Sequence, residues 1–336
     1  MRAETSVENA VLSIVVPAHN EAEGLRKFYL RLTAVLKSAG MSAEIVFVND
    51  GSTDGTLALM EELRRSDQRI AIVDLSRNFG KEIAMTAGLD HTRGAAVVII
   101  DADLQDPPEL IPELIKRWRE GFDVVYAKRM SRSGETTFKK LTAFAFYRLI
   151  HKVSNVRIPR DTGDFRLLSR RAVDSLKQLR ERHRFMKGLF AWIGYPQAAV
   201  PYQRDSRFAG ETKWRYWGLW NFAIEGITSF TIAPLKIATY LGMFVALAAF
   251  AYAGYIIYDT IVYGNPVAGY PSLLVIVLSL GGVQLMTLGV IGEYLGRMFN
   301  ETKARPLYLV QGYKPAISTC ETPIGDPAQQ AISGNP

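Results

Sequence analysis

One cysteine, Cys320, is all that 336 residues contain. This excludes an intrachain disulfide framework and fits a reducing compartment that faces the cytoplasm. The four histidines, at positions 19, 91, 151 and 183, show no zinc-ligand spacing. No G-x-G-x-x-G follows the first apolar run and no G-x-x-x-x-G-K-S/T occurs, so a dinucleotide-dependent dehydrogenase and a P-loop NTPase both lack their main support. The segment GSTDG at 51–55 has no serine at its centre, unlike the nucleophile elbow of hydrolases. A secretory leader is not expected either, because the first apolar run, Val11 to Ala18, is short and follows an acidic start.

Hydrophobic residues make up 48% of the chain and charged ones 22%. That is enough to bury a full core in one large domain with an appendage, and it is not the profile of a disordered chain. The net charge of +7 conceals a split. Residues 1–127 hold 14 Lys and Arg against 20 Asp and Glu, whereas residues 128–215 hold 21 against 7. A basic face suits nucleic acid or anionic lipid. The long apolar runs that follow it here favour lipid headgroups, and nucleic acid is not an expected partner.

Ile237–Tyr258 and Pro271–Gly292 are each 22 residues without a charge. As helices they reach ~33 Å, against a hydrocarbon core of about 30 Å. Neither run has the polar stripe of a surface helix, so both are expected to span a bilayer rather than to sit in a protein core. The connection from Asp259 to Tyr270 lacks Lys and Arg while both outer flanks are basic, which places the connection outside and both ends in the cytoplasm. Lys236 can snorkel at one boundary, and Tyr252, Tyr255, Tyr258 and Tyr263 suit the other. The expected organisation is a cytoplasmic domain (1–215), an interfacial helix (216–230), two membrane helices (231–258 and 271–292) around an external loop (259–270), and a cytoplasmic C-terminal segment (293–336) with a disordered tail.

Within the first 127 residues, short apolar strands alternate with helix-length segments. Leu12–Pro17, Glu44–Val48, Ile70–Leu75, Ala95–Ile100 and Asp123–Tyr126 read as strands, and 21–38, 56–65, 81–92 and 108–120 as helices. The pattern predicts an α/β fold with a mainly parallel sheet, whose ligands bind beyond the carboxyl ends of the strands. Polar clusters fall at those ends: His19-Asn20-Glu21, Asn49-Asp50-Gly51, Ser76-Arg77-Asn78, and Asp101 with Asp103. The last belongs to IIDADLQDPPEL at 99–110. Carboxylates at i and i+2 at a strand end can hold a hard cation such as Mg²⁺ or Mn²⁺ with a substrate diphosphate, although in isolation they equally describe a solvated acidic turn.

Five segments in order carry a resemblance: SIVVPAHNEAE (13–23), FVNDGSTDGT (47–56), DADLQDPPE (101–109), DTGDFRLLSRRA (161–172) and RFAGETKW (207–214). Together with the apolar hairpin and GEYLGRMFNETKARPLY (292–308), they resemble the family 2 glycosyltransferases that charge polyprenyl phosphates. That family includes dolichyl-phosphate mannose synthases and the bacterial undecaprenyl-phosphate glucosyltransferases of O-antigen modification, and the chain is most similar to the latter. The resemblance implies a GT-A (Rossmann-like) catalytic domain, a nucleotide-sugar donor with UDP-glucose favoured, a polyprenyl phosphate acceptor, and Mg²⁺ or Mn²⁺ at the inner membrane. It also implies a homo-oligomer working beside a flippase and a second glycosyltransferase.

Carried over residue by residue, Pro17 and Glu21 would line the donor nucleotide, Asp50 its base or ribose side, and Asp101 the ribose and metal region. Asp103 and Gln105 would ligate the metal. Arg129 would approach the donor, while Arg207 and Lys213 would act on phosphates, with Asp103, Arg129, Arg207 and Lys213 forming the catalytic set. Asp161 and Asp164 would place the acceptor or the sugar. A phosphate acceptor and a diphosphate donor repel one another, and cations between them answer that repulsion, although each of these basic residues also suits ordinary surface. Mannose synthases often carry histidine where Asp106 stands, which bears on donor identity.

Two amphipathic stretches, Thr137–Val153 and Trp214–Phe230, are read as lying in the membrane interface, with core-packing helices as the other possibility. Glu293 and Arg297, at i and i+4, are read as a local ion pair. A processive polysaccharide synthase would need a Q-x-x-R-W element and more helices, and the chain has neither. A non-catalytic nucleotide-sugar binding protein stays open.

Overall fold

In the computed structural model, residues 12–130, 162–182, 184–203, 233–263 and 269–317 are described, apart from some side chains between 233 and 279. The stretches 137–153 and 214–230, and with them Asp161, Arg207 and Lys213, lie outside the described residues. The chain runs β1 (Leu12–Ala18), α1 (Ala22–Ser38), β2 (Ala43–Asn49), α2 (Thr56–Ser66), β3 (Ile70–Leu75), α3 (Lys81–Asp90), β4 (Ala96–Ile99), a 3-10 turn (Pro108–Leu110), α4 (Ile111–Arg119) and β5 (Val124–Arg129). It continues with β6 (Thr162–Ser169), α5 (Arg170–Gln178), α6 (Met186–Trp192), β7 (Gln197–Tyr202), α7 (Ala233–Tyr263), α8 (Tyr270–Thr302) and β8 (Val310–Lys314).

Every residue of β1 and β2 is buried, because helices cover both faces of the sheet, and such strands lose polar alternation and read as largely apolar runs, here with Ser13, Glu44 and Asn49 as buried polar exceptions. Alternate side chains enter opposite cores. Ile14 and Val16 pack with Leu25, Phe28, Leu32 and Leu36, the buried stripe of α1, while Val15 packs with Ala84, Met85 and Leu89 of α3. Each buried Leu or Phe contributes about 1.5–3 kcal/mol, so the stripe holds α1 in one rotational setting.

The sheet order is β7-β5-β6-β4-β1-β2-β3-β8. Strands β3, β2, β1 and β4 are parallel, and the chain reverses its direction of travel across the sheet between β1 and β4, which opens a crevice at their carboxyl ends. Strand β6 is antiparallel to β4 with Ile99 opposite Arg166, so the start of β6 lies at the end of β4. Strand β5 runs parallel to β7 with Arg129 opposite Tyr202.

Several boundaries differ from the sequence reading. Strand β5 extends to Arg129, helix α3 stops at Asp90, and α4 is preceded by a separate 3-10 turn that begins at Pro108. The larger difference is β8. Residues 310–314 fall in a C-terminal segment that carries no strand signal, yet they pair antiparallel with β3 and close that edge of the sheet. The same segment is tied down by Tyr308, whose hydroxyl donates to Asp90 at 2.7 Å, and by the ring of Tyr313, 4.6 Å from that of His91. Arg182 donates to the backbone carbonyl of Glu301 at 2.7 Å, fixing the end of α8 to the loop after α5.

The two apolar runs are helical and longer than expected, at 31 residues in α7 and 33 in α8. Among the described residues no helix is long and apolar enough to cross a membrane; both apolar stretches include side chains outside that set. Arg297 pairs with Glu293 at 3.1 Å, as the spacing predicts.

Candidate active site

The loops after β1, β2 and β3 are built on one another. His19 Nδ1 lies 2.8 Å from the carbonyl of Asp50, which can only accept, so that nitrogen carries the hydrogen. Nε2 is left to accept from Asn78 at 3.0 Å. The carboxylate of Asp50 accepts from the backbone amides of Phe79 at 2.7 Å and Gly80 at 2.9 Å, and only 3% of the residue is exposed. In this structure Asp50 therefore holds the loop after β3. Gly51, at φ +59°, lies so close to that loop that a Cβ would stand 2.3 Å from the carbonyl carbon of Arg77, so no side chain fits. Asp54 accepts from the backbone amides of Ala22 at 3.2 Å and Thr56 at 3.0 Å, which ties the starts of α1 and α2 together. Glu21 precedes α1, and its amide donates to Thr56 Oγ1. Pro17 is buried in β1 opposite Val48.

At the end of β4, Leu104 at φ +62° turns the chain so that the Gln105 amide donates to Asp103 Oδ1 at 3.1 Å. The antiparallel β6 brings Asp164 beside Asp101, and Lys81 from the start of α3 joins them, donating to one oxygen of each at 2.6 Å. The other oxygens, Oδ1 of Asp101 and of Asp164, are buried and have no partner among the described residues. Burial pushes the Asp101 carboxyl up, with Lys81 opposing. Burial acts the same way on Asp164, but there Lys81 and Lys187 prevail and hold the group below the usual carboxylate range. Desolvation works against the charge on Lys81 and is outweighed by the two carboxylates, which keep its ammonium protonated. Lys81 carries no pattern in the sequence beyond its place after Gly80, and the sequence reading missed it.

Behind this cluster, Arg166 is buried, donates to the carbonyl of Gly163 at 2.8 Å, and lies 3.7 Å from the centre of the Phe190 ring. Desolvation lowers its guanidinium to about 10. Glu82 accepts from the Met186 amide at 2.8 Å, and burial with the nearby Asp164 charge pushes its carboxyl up to about 7. A raised carboxyl stabilises the fold below its unfolded pKa, ~4.3, and that stability is lost as pH rises through the folded value. Glu82→Gln keeps an acceptor for Met186 and removes the titration. Its melting temperature is expected to gain on the wild type from about pH 4.3 to about pH 7 and to stay level above. A difference that is flat across that window contradicts the assignment.

Arg129, at the end of β5, donates to the Tyr202 hydroxyl at 3.3 Å, and that hydroxyl donates to Asp106 at 2.5 Å. Asp101, Asp103, Gln105, Arg129 and Asp164 thus come from the predicted set to one end of the sheet, joined by Lys81. Among the described residues no three His, Cys, Asp or Glu side chains are grouped to hold a metal on their own. An unpartnered oxygen on Asp101, with the Asp103 carboxylate two residues along the same loop, is a hard-donor set that fits a cation taking one or two carboxylates and completing its shell with substrate phosphates and water.

Parallel strands that turn polar loops into one crevice, an acidic loop at the point where strand order reverses, and an antiparallel strand beside it agree with the GT-A fold class that the resemblance implies. Residues 13–177 match the description Glycosyl transferase family 2, and residues 233–298 match GtrB C-terminal hairpin. The chain is 56% identical over 299 residues to an uncharacterized glycosyltransferase of Synechocystis sp., covering 89% of this chain and 94% of that protein. It is 50% identical over 303 residues to a bactoprenol glucosyl transferase of Shigella phage SfX, covering 90% of this chain and 99% of that one. A prophage bactoprenol glucosyl transferase homolog of Escherichia coli is 48% identical over 303 residues, with the same coverage. The chain belongs to glycosyl transferase family 2 and is a glycosyltransferase.

Proposed function

We propose that the protein transfers glucose from UDP-glucose to a polyprenyl phosphate at the cytoplasmic face of the inner membrane, with Mg²⁺ or Mn²⁺ and with inversion at the anomeric carbon. The observation that carries this reading is the 50% identity to a bactoprenol glucosyl transferase across 90% of the chain, crevice and hairpin together. The membrane placement is supported by helix length. With every residue counted, α7 and α8 reach roughly 46 and 50 Å at about 1.5 Å per residue, beyond a hydrocarbon core of about 30 Å. Phe244, Leu247, Ile261, Leu285, Met286 and Leu288 are exposed along them, where lipid would cover them.

Asp103 and Gln105 would hold the divalent cation beside Asp101, and the cation when bound supplies positive charge to the leaving diphosphate. Arg129 adds a fixed cation on the donor side. Arg207 and Lys213 are assigned to the incoming phosphate. That acceptor is already anionic at neutral pH, so the reaction needs charge to be positioned more than it needs a proton removed. Asp164 suits this scheme. Held low by Lys81 and Lys187, it is a poor proton acceptor and serves to place the sugar or the acceptor, with Asp161 in a similar task.

The test is to supply the purified protein with labelled UDP-glucose, Mn²⁺ and undecaprenyl phosphate. Label is expected in the lipid fraction as the β-anomer. No lipid-linked sugar from any UDP- or GDP-sugar would favour a binding protein, and an α-linked product would exclude a single displacement.

A further inference from the structure

Three polar side chains from separate segments meet at the root of the crevice. Asp106, from the acidic loop, is 1% exposed, and Tyr202, at the end of β7, is 5% exposed. The Tyr202 hydroxyl donates to Asp106 Oδ1 at 2.5 Å and accepts from Arg129 Nε at 3.3 Å, which makes one chain of hydrogen bonds. Burial and the Asp106 charge push the phenol above its usual range, so it stays protonated and can do both. Its ring stands edge-on to Phe165, 6.4 Å between centroids at 88°, which fixes the direction of the hydroxyl.

Two further features point at the guanidinium. A Cβ on Gly163 would lie 3.2 Å from Arg129 Nη2, so the group lies against a residue with no side chain to displace it. Through Nε it is held by Tyr202, and no hydrogen bond from either Nη occurs among the described residues. A buried carboxylate is costly, and an apolar group of the same volume would often serve stability as well. Asp106 and Tyr202 are therefore better explained by what they do to Arg129.

We propose that Tyr202 and Asp106 are positioning residues that aim the two Nη groups of Arg129 at the diphosphate of the donor. The inference rests on reading Arg129 as the donor-side cation. It goes beyond that reading by assigning tasks to two buried residues that do not reach the substrate, and by giving the aspartate at position 106 a role in geometry.

The experiment is a double-mutant cycle on the full-length protein, read as the affinity for UDP in the presence of Mn²⁺, with GDP in parallel. A hydrogen bond to a charged group corresponds to roughly a ten- to hundredfold effect, so Arg129→Ala and Tyr202→Phe are each expected to weaken UDP binding about tenfold or more. In the Arg129→Ala background, Tyr202→Phe is expected to change affinity by less than about twofold, because the group it positions is gone. Asp106→Asn keeps an acceptor for the hydroxyl and is expected to stay within about threefold of the wild type. Tyr202→Phe also leaves Asp106 without its donor and lowers thermal stability, and a purely structural role would weaken UDP binding equally in both backgrounds. Additive losses, or Tyr202→Phe binding UDP like the wild type, would overturn the proposal. Coupled binding by a protein that moves no glucose to lipid would overturn the proposed reaction and leave the positioning role standing. Failure of the wild type to bind either nucleotide would remove both.

Discussion

Asp103→Asn is expected to lower turnover at least roughly a hundredfold at saturating Mn²⁺, since Lewis-acid stabilisation of a leaving diphosphate is worth several kcal/mol and each ~1.4 kcal/mol is tenfold in rate. The substitution is nearly isosteric. Its amide oxygen can still accept from the Gln105 backbone, as Asp103 Oδ1 does at 3.1 Å, so that contact within the loop is kept. A second readout separates lost chemistry from lost structure: wild-type affinity for UDP should rise with Mn²⁺, and that dependence should fade in the variant. Turnover close to the wild type would remove Asp103 from the metal site.

Lys81→Met is expected to cost roughly tenfold or more in turnover, because it removes the ammonium that faces both Asp101 and Asp164. Two neighbouring carboxylates would then lack a shared counter-ion. Lys81→Arg keeps the charge, but its planar fork cannot put one nitrogen 2.6 Å from both Oδ2 atoms, so partial recovery is expected. The loss should also appear as a pH-dependent melting difference. Asp164 is held below its usual range, so the stability it contributes is present above the unfolded carboxyl value, ~3.9, and is lost as pH falls through the lower folded one. The gap between wild type and Lys81→Met should therefore be full near neutrality and narrow below about pH 4. A gap that widens on acidification would show that Lys81 does not hold the pair.

The parallel half of the sheet was legible because burial on both faces writes the middle of a strand as an apolar run, as in IVV and IVFV of β1 and β2. The polar loops at the strand ends were legible for the complementary reason: each is a local break in such a run. Pairing between distant segments leaves no such mark. Nothing around Thr162–Ser169 says that it runs antiparallel beside β4, and that placement is what brings Asp164 to Asp101. Lys81 is one cation at a helix start, and its importance lies in two partners 20 and 83 residues away. Asp106 looked like a departure from a motif because its partner, Tyr202, is 96 residues away. The last strand, VQGYK, is mostly exposed and carries no apolar alternation, so it gave no signal as a strand.

That last strand also sets the order in which the protein can be completed. Strand β3 is made early, while its neighbour at 310–314 follows roughly 240 residues later, after both long helices. At about 5–20 residues per second, the outer edge of β3 stays unpaired for on the order of 10 to 50 s of synthesis. An open strand edge is a template for unwanted pairing with other chains, so this interval is when the nascent domain is most exposed to aggregation. Among the described residues closure comes from the polypeptide beyond the hairpin, so a chain cut short within α8 would leave a catalytic domain whose β3 edge is still open.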